Sequence, residues 1–317
     1  SYTAVLSAAG TASVTPANVF QSGSDNCGMV NLVSVVPNAF DCTQIGPVTI
    51  ALTVNDGHGN TTTCTASVTV QDNTPPTITC PANIVRGTDA NQCTAVVFYA
   101  NPTVSDNCSN GVLTRTGGLA SNAAFPPGIN MVQWKVTDPG NNTAICQFTV
   151  TVVDAEPPVF SCPANVARST DPGQCSAAVS YATPIATDNC GVASVTLQSG
   201  ANTASGSTFA KGVTTVVWKA TDTATPTGNT ATCSFTVTVN DTELPTLSCP
   251  LSQTIGSTPM LCTGVATFAT PAGSDNCPLP PGAVTQTSGP ASGSAFPKGA
   301  TTVVFKVTDG AGLIKTC

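Results

Sequence analysis

The sequence predicts an all-β protein: tandem β-sandwich modules, stapled by disulfides and joined in an elongated array. Three observations predict it. The composition favours strands and turns over helices. Fifteen cysteines recur at regular intervals along 317 residues. Short alternating apolar segments recur with them, separated by Gly, Pro, Asn and Asp.

Charged residues make up only 8% of the chain, against about 25% in an average soluble domain. Thr and Val, which suit pleated strands, are abundant, and 27 Gly with 25 Pro supply turns. The net charge is −7 and the nine Lys and Arg are scattered singly. No basic cluster exists to neutralise phosphates, which argues against a nucleic-acid partner. No apolar run approaches the ~20 residues that span a bilayer. Residue 1 is Ser and no charged-plus-apolar leader opens the chain, so a mature or excised segment is expected. Regularly spaced cysteines in a low-charge, β-rich chain imply disulfides and an oxidising, extracellular or cell-surface location.

The repeat is explicit. Asp-Asn-Cys ends at Cys27, Cys108, Cys190 and Cys277, at spacings of 81, 82 and 87 residues. These cysteines are series III. Series IV, Cys64, Cys146, Cys233 and Cys317, follows Gly-rich loops such as "TDPGNNTAIC". Series I is Cys80, Cys162 and Cys249 in "TCPANI", "SCPANV" and "SCPLSQ"; series II is Cys93, Cys175 and Cys262 in "QCTAVV", "QCSAAV" and "LCTGVA". Joints read "QDNTPPT", "VDAEPPV" and "NDTELPT". Four units are expected: 1–72, partial, without its first strand and first Cys; 73–154 and 155–241, complete; and 242–317, without its last strand.

Strands follow from alternation. In "MVQWKVTD", Val132, Trp134 and Val136 share one face and Gln133 and Lys135 the other. "VVWKATD" and "VVFKVTD" repeat this with Trp218 and Phe305. Period-2 alternation with an inward aromatic marks a half-buried strand. "CQFTVTVVD", "CSFTVTVND" and "CTAVVFYA" read as further strands. Many short strands in units of this size indicate a two-sheet Ig-like sandwich.

The ordered set CPAN, Cys, DNC, F-x-x-G, V-x-W-x-x-T-D, GNT-x-C-x-FTVTV and D-x-x-PP resembles the hyalin repeat (HYR) family. The resemblance covers essentially 75–317, and its motifs recur in one order three times. Residues 1–72 are more divergent: "FDCTQIG" stands where the other units have "FPPG", "FAKG" and "FPKG". The resemblance implies Ig-like modules of a secreted, non-enzymatic protein with a role in adhesion or extended extracellular assemblies. The variant looks like modules of long bacterial surface proteins.

Four cysteines per unit allow three connectivities. Series I and II flank the short turn "RGTDANQ" between two expected strands, which suggests a staple across a hairpin. Series III and IV lie in loops expected at one end of the sandwich. The expected pairs are therefore Cys80–Cys93, Cys108–Cys146, Cys162–Cys175, Cys190–Cys233, Cys249–Cys262, Cys277–Cys317 and Cys27–Cys64. Cys42 is left for a partner outside the chain.

Catalysis finds little support. His58, the one histidine, sits in the turn "DGHGN", so no catalytic site and no enzyme is expected. No CxxC pair suggests zinc. The acids are more regular. Asp72, Asp106 and Asp138 are expected to converge at the first joint. Asp154, Glu156, Asp188 and Asp222 would meet at the second, and Asp241, Glu243, Asp275 and Asp309 at the third. Clustered carboxylates offer the oxygens Ca²⁺ takes, so calcium is the candidate ion and no other cofactor is implied. The plainer reading is that each Asp caps its own turn. Asn60, Asn107, Asn141 and Asn240 have the N-x-[ST] form of glycosylation sites.

The ragged first and last units suggest a window cut from a longer array, or strands exchanged between chains. The leading function is a structural or adhesive array in an extracellular filament, stalk or adhesin. The expected partners are neighbouring repeats or copies of itself, then other surface proteins or glycans. The alternative is a ligand- or carbohydrate-binding module array.

Overall fold

The computed structural model describes every residue except Cys27 and Asn110. Its regular secondary structure is almost entirely strand, and it forms two compact units: Ser1–Glu156 with Ala224–Pro226, and Pro157–Thr223 with Thr227–Cys317.

In the first unit, the strands between Thr77 and Val153 form a sandwich. Its larger sheet has four strands in the order Val112–Gly117, Gly128–Thr137, Thr143–Val153, Ile84–Gly87. Ile84–Gly87 runs parallel to Thr143–Val153, and the other neighbours are antiparallel. The facing layer is two short pairs, Thr77–Thr79 with Thr103–Ser105 and Ala95–Val97 with Ala123–Phe125. The expected alternation holds: Val132 and Val136 are fully buried, and Trp134 packs against the core of Ala95, Val97, Phe125, Val132, Phe148, Val150 and Val152. Each such valine contributes roughly 1.5–3 kcal/mol of burial. Tyr99 closes the core edge-on to Phe148, its ring centroid 5.1 Å away, and donates its hydroxyl to the Leu119 carbonyl.

Residues 1–72 repeat the larger sheet as Asn31–Val36, Gly46–Asn55, Thr61–Gln71 and Tyr2–Val5. Tyr2–Val5 pairs in parallel with Thr61–Gln71, so it stands where Ile84–Gly87 stands in the next module. The opposite layer holds Thr11–Ser13 with Ala39–Asp41 and a short helix, Pro16–Val19.

The second unit repeats the plan. A sheet in the order Val166–Ser169, Thr230–Asn240, Gly212–Asp222, Val192–Leu197 packs around Ala177, Val179, Phe209, Val216, Phe235, Val237 and Val239. Residues 242–317 keep three strands of it, Val284–Ser288, Val304–Thr308 and Ile314–Thr316.

The disulfides correct the expected pairing. Series I joins series IV within a module: Cys80–Cys146, Cys162–Cys233 and Cys249–Cys317. Series III reaches back to the preceding module: Cys108 bonds Cys42, and Cys277 bonds Cys175. This replaces the expected Cys80–Cys93, Cys108–Cys146, Cys162–Cys175, Cys190–Cys233, Cys249–Cys262 and Cys277–Cys317, and gives Cys42 a partner inside the chain. Cys93 and Cys190 are also disulfide-bonded. Cys27 lies outside the described residues; Cys64, its expected partner, is a free, exposed thiol, as is Cys262.

The reason is topological. The turn "RGTDANQ" does not close a hairpin, because Ile84–Gly87 and Ala95–Val97 enter different layers. Asp89 organises the turn instead, accepting from the Val96 N–H at 2.8 Å and from Arg86 Nη2 at 2.8 Å. Cys146 lies inside a strand rather than in a loop, opposite Trp134, with its Cα 5.7 Å from that of Cys80. That separation suits a disulfide.

Candidate site at the module joints

The joint between the first two modules brings three carboxylates together. Asp72 ends the strand Thr61–Gln71, Asp106 follows Thr103–Ser105, and Asp138 follows Gly128–Thr137. One oxygen from each lies within 4.8 Å of the others. Asp72 and Asp138 are 3% and 4% exposed, so the charges are held out of water.

Each acid spends at least one oxygen on local structure. Asp72 Oδ1 accepts from the Thr74 N–H at 3.1 Å and from Asn107 Nδ2 at 3.2 Å. Asp106 Oδ2 accepts from the Cys108 N–H at 3.0 Å. Asp138 is held at both oxygens by Asn142, through its N–H at 2.7 Å and its Nδ2 at 2.9 Å. The turn-capping reading therefore accounts for four of the six carboxylate oxygens. It does not explain the rest: Asp72 Oδ2 and Asp106 Oδ1, and the amide oxygen Asn107 Oδ1, are buried with no hydrogen-bond partner among the described residues. No Lys or Arg among the described residues pairs with these three acids. An ionised carboxylate only accepts, and buried acceptors without donors cost about 1–3 kcal/mol each. An all-oxygen set of this kind fits a hard divalent cation, Ca²⁺ above all.

The same loop fastens the joint covalently. Cys108 is 5% exposed and packs into the first module's core with Val14, Phe40 and Val68. It reaches that core through its bond to Cys42, Cα to Cα 5.2 Å. Asn107 Nδ2 donates to the Ser7 carbonyl at 3.1 Å as well as to Asp72.

In the second unit, Asp241 and Asp275 meet beside Cys277, whose sulfur is committed to Cys175. Asp275 Oδ1, Asn276 Oδ1 and Asp309 Oδ2 are again buried without a partner among the described residues. Asp309 owes this to Leu313, which stands where Asn142 stands in the second module and carries no amide. Asp241 differs: Lys211 Nζ lies 3.1 Å from its Oδ2. Burial alone would raise the Asp241 pKa, but the Lys211 ammonium, the Asn276 amide and the Glu243 N–H together hold it below the ordinary carboxylate value.

Two expected ligands go elsewhere. Glu156 accepts from the Asn91 N–H at 3.1 Å, and Glu243 from the Gly173 N–H at 2.8 Å. Each holds the turn after the first strand of the larger sheet in the preceding module. Asp154 belongs to the first unit, and Asp188 and Asp222 to the second. Asp188 Oδ1 accepts from the Cys190 N–H at 2.8 Å, and Asp222 is held by Asn229. Asn60, Asn141 and Asn240 are exposed, whereas Asn107 is half-buried in the joint. His58 is an exposed turn residue whose N–H donates to Asp56. Sequence reasoning missed Asn107 as a joint residue and Lys211 as a partner of Asp241. The recurrence of Asn in every Asp-Asn-Cys was the available signal for the first.

A family model described as the HYR domain matches residues 71–152, 153–239 and 240–317. Hyalin of Strongylocentrotus purpuratus is 36% identical over 304 residues, which covers 91% of this chain and 24% of that protein. Hyalin of Lytechinus variegatus is 32% identical over 186 residues, covering 56% and 35%. The chain thus spans about a quarter to a third of these relatives' length. A sushi, von Willebrand factor type A, EGF and pentraxin domain-containing protein of Rattus norvegicus is 31% identical over 165 residues, half of this chain and 4% of that one. Among solved structures, protocadherin gammaB7 EC3-6 aligns over 100% of this chain and 96% of its own, at 15% identity and a TM-score of 0.33. Among the described residues, no helix is long and apolar enough to cross a membrane.

Proposed function

Because the chain belongs to the HYR domain family, we propose that it is a non-enzymatic segment of an extracellular adhesion-type repeat protein. Its four modules, 1–72, 73–154, 155–241 and 242–317, act as structural units of a filament, stalk or adhesin. Its partners are neighbouring repeats or further copies. The joint between the first two modules is locked twice, by the disulfide that crosses it and by a divalent cation. The observation that carries this reading is the coincidence, on one Asp106-Asn107-Cys108 loop, of a cross-module cystine and buried acceptors that lack donors. Asp72, Asp106, Asn107 and Asp138 would hold the ion, which supplies the positive charge their oxygens lack. Ca²⁺ then binds the folded joint and not the unfolded chain, so it raises stability by mass action.

The test is thermal melting of the full chain in EGTA and in millimolar Ca²⁺, with Asp106→Asn beside the wild type. Ca²⁺ is expected to raise the wild-type Tm by several degrees and that of Asp106→Asn by less. Identical melts in EGTA and Ca²⁺ would dispose of the cation. For adhesion, beads coated with the chain should cluster in Ca²⁺ and disperse in EGTA; beads that stay dispersed in both would count against self-association.

A further inference from the structure

The joints in the two units are not equivalent, and the difference is one residue. Every module has a glycine at positive φ opening its longest central strand or the segment leading to it: Gly46, Gly128, Gly212 and Gly299, with φ between 99° and 118°. The residue before it is Ile45, Pro127, Lys211 or Lys298. In the first module Ile45 packs with Cys42 against the core. In the third, Lys211 turns toward the joint. Its N–H donates to the Cys175 carbonyl at 3.1 Å, which ties it to the cystine that crosses to Cys277. Its ammonium lies 3.1 Å from Asp241 Oδ2, a side chain with no exposure, while the Lys211 side chain keeps 25%. A Cβ built on Gly310 would come within 3.5 Å of Nζ. The ammonium therefore borders Gly310, next to Asp309, whose Oδ2 is buried and unpartnered.

We infer that Lys211 is a built-in counter-cation that takes the place of the divalent ion at the joint between the third and fourth modules. This rests on the reading that the joint between the first and second modules binds Ca²⁺. The first joint gathers three carboxylates and pairs with no protein cation among the described residues. The joint between the third and fourth modules gathers two, with a cystine sulfur in the third place, and already holds a positive charge. A fixed ammonium repels a metal ion and uses one of the oxygens it needs. One joint then responds to extracellular calcium, and the other stays braced without it.

The test is calcium uptake by the full chain, measured by equilibrium dialysis with ⁴⁵Ca²⁺ at neutral pH, for the wild type, Lys211→Met, Lys211→Arg and Asp106→Asn. Lys211→Met is expected to bind about one more Ca²⁺ per chain than the wild type at saturating calcium. Lys211→Arg, which keeps the charge, should match the wild type. Melting each variant in EGTA and in Ca²⁺ covers the case in which Lys211→Met folds poorly: calcium should then restore its Tm toward that of the wild type. If Asp106→Asn lowers uptake but Lys211→Met neither gains an ion nor is rescued by calcium, the inference about Lys211 fails and the calcium reading stands. If Asp106→Asn leaves uptake unchanged, the calcium reading fails, and this inference with it.

Discussion

The disulfide that crosses the first joint gives the sharpest test. Cleavage before aspartate, applied to the unfolded but unreduced chain, places Cys42 in the peptide 41–55, Cys80 in 72–88, Cys93 in 89–105, Cys108 in 106–137 and Cys146 in 138–153. The structure joins 41–55 to 106–137, and 72–88 to 138–153. Hairpin staples would instead join 72–88 to 89–105, and 106–137 to 138–153. Mass spectrometry of the unreduced digest separates the two outcomes without ambiguity. The energetic consequence can be worked from the loop. Cys42–Cys108 closes 66 residues, and in the chain-entropy relation a loop of that size is worth about 4 kcal/mol. Cys42→Ala with Cys108→Ala should lose about that much on urea unfolding, and more where the buried Cys108 sulfur leaves a gap in the first module's core. A 106–137 peptide linked to 138–153, or a double variant within about 0.5 kcal/mol of the wild type, would refute the cross-module bond.

Three further outcomes follow from single positions. Native alkylation without reductant should modify Cys64 and Cys262, which are free and exposed, and leave Cys108 and Cys277 untouched, as peptide mass mapping would show. Gly118 has φ +79°, and a Cβ there would lie 2.3 Å from the Met131 carbonyl oxygen. Gly118→Ala should therefore cost about 1–3 kcal/mol in a denaturant melt. For Asp241, the folded pKa is lowered, so its stabilisation is fully present above the unfolded value of 3.8 and is lost as pH falls below that value through the lower folded one. Melts should be flat down to about pH 5 and fall below about pH 4. In Lys211→Met burial should dominate and raise the folded pKa, so the Tm should instead recover as pH falls toward 3.8 from above.

The sandwich was legible because its signals are local. Val132, Trp134 and Val136 alternate within five residues, and the same beat returns around Trp218 and Phe305. The acid cluster was legible in part because Asp72, Asp106 and Asp138 sit at repeated positions. The cystine partners were not, because they depend on which layer a strand enters. Cys80 and Cys93 flank one turn, yet Ile84–Gly87 pairs in parallel with Thr143–Val153 while Ala95–Val97 crosses to the other layer. Parallel pairing brings together residues 66 apart, and nothing in a local pattern records it. Glu156 and Glu243 misled for the same reason. They lie beside the joint in sequence, but each finds a loop N–H 65 or 70 residues away.

The Asp-Asn-Cys tripeptide therefore divides one task among three side chains. Cys108 fixes distance across the joint, since its bond to Cys42 holds two Cα atoms 5.2 Å apart. A single bond still leaves rotation about itself. Asn107 removes that freedom by donating to Ser7 and Asp72 of the preceding module at 3.1 and 3.2 Å. Asp106 ties one oxygen to the Cys108 N–H and leaves the other buried and unbonded, an unfavourable burial that the proposed cation would offset. Covalent and hydrogen-bonded contacts thus pre-organise a site whose remaining requirement is charge. Asn107→Ala separates these roles. It keeps the cystine and all three carboxylates but frees the rotation. The chain should then retain its disulfide map and bind Ca²⁺ several-fold more weakly, because the ion loses the Asn107 Oδ1 that would face it and must now order the joint that Asn107 had ordered in advance. Calcium affinity unchanged in Asn107→Ala would show that the disulfide alone sets the joint.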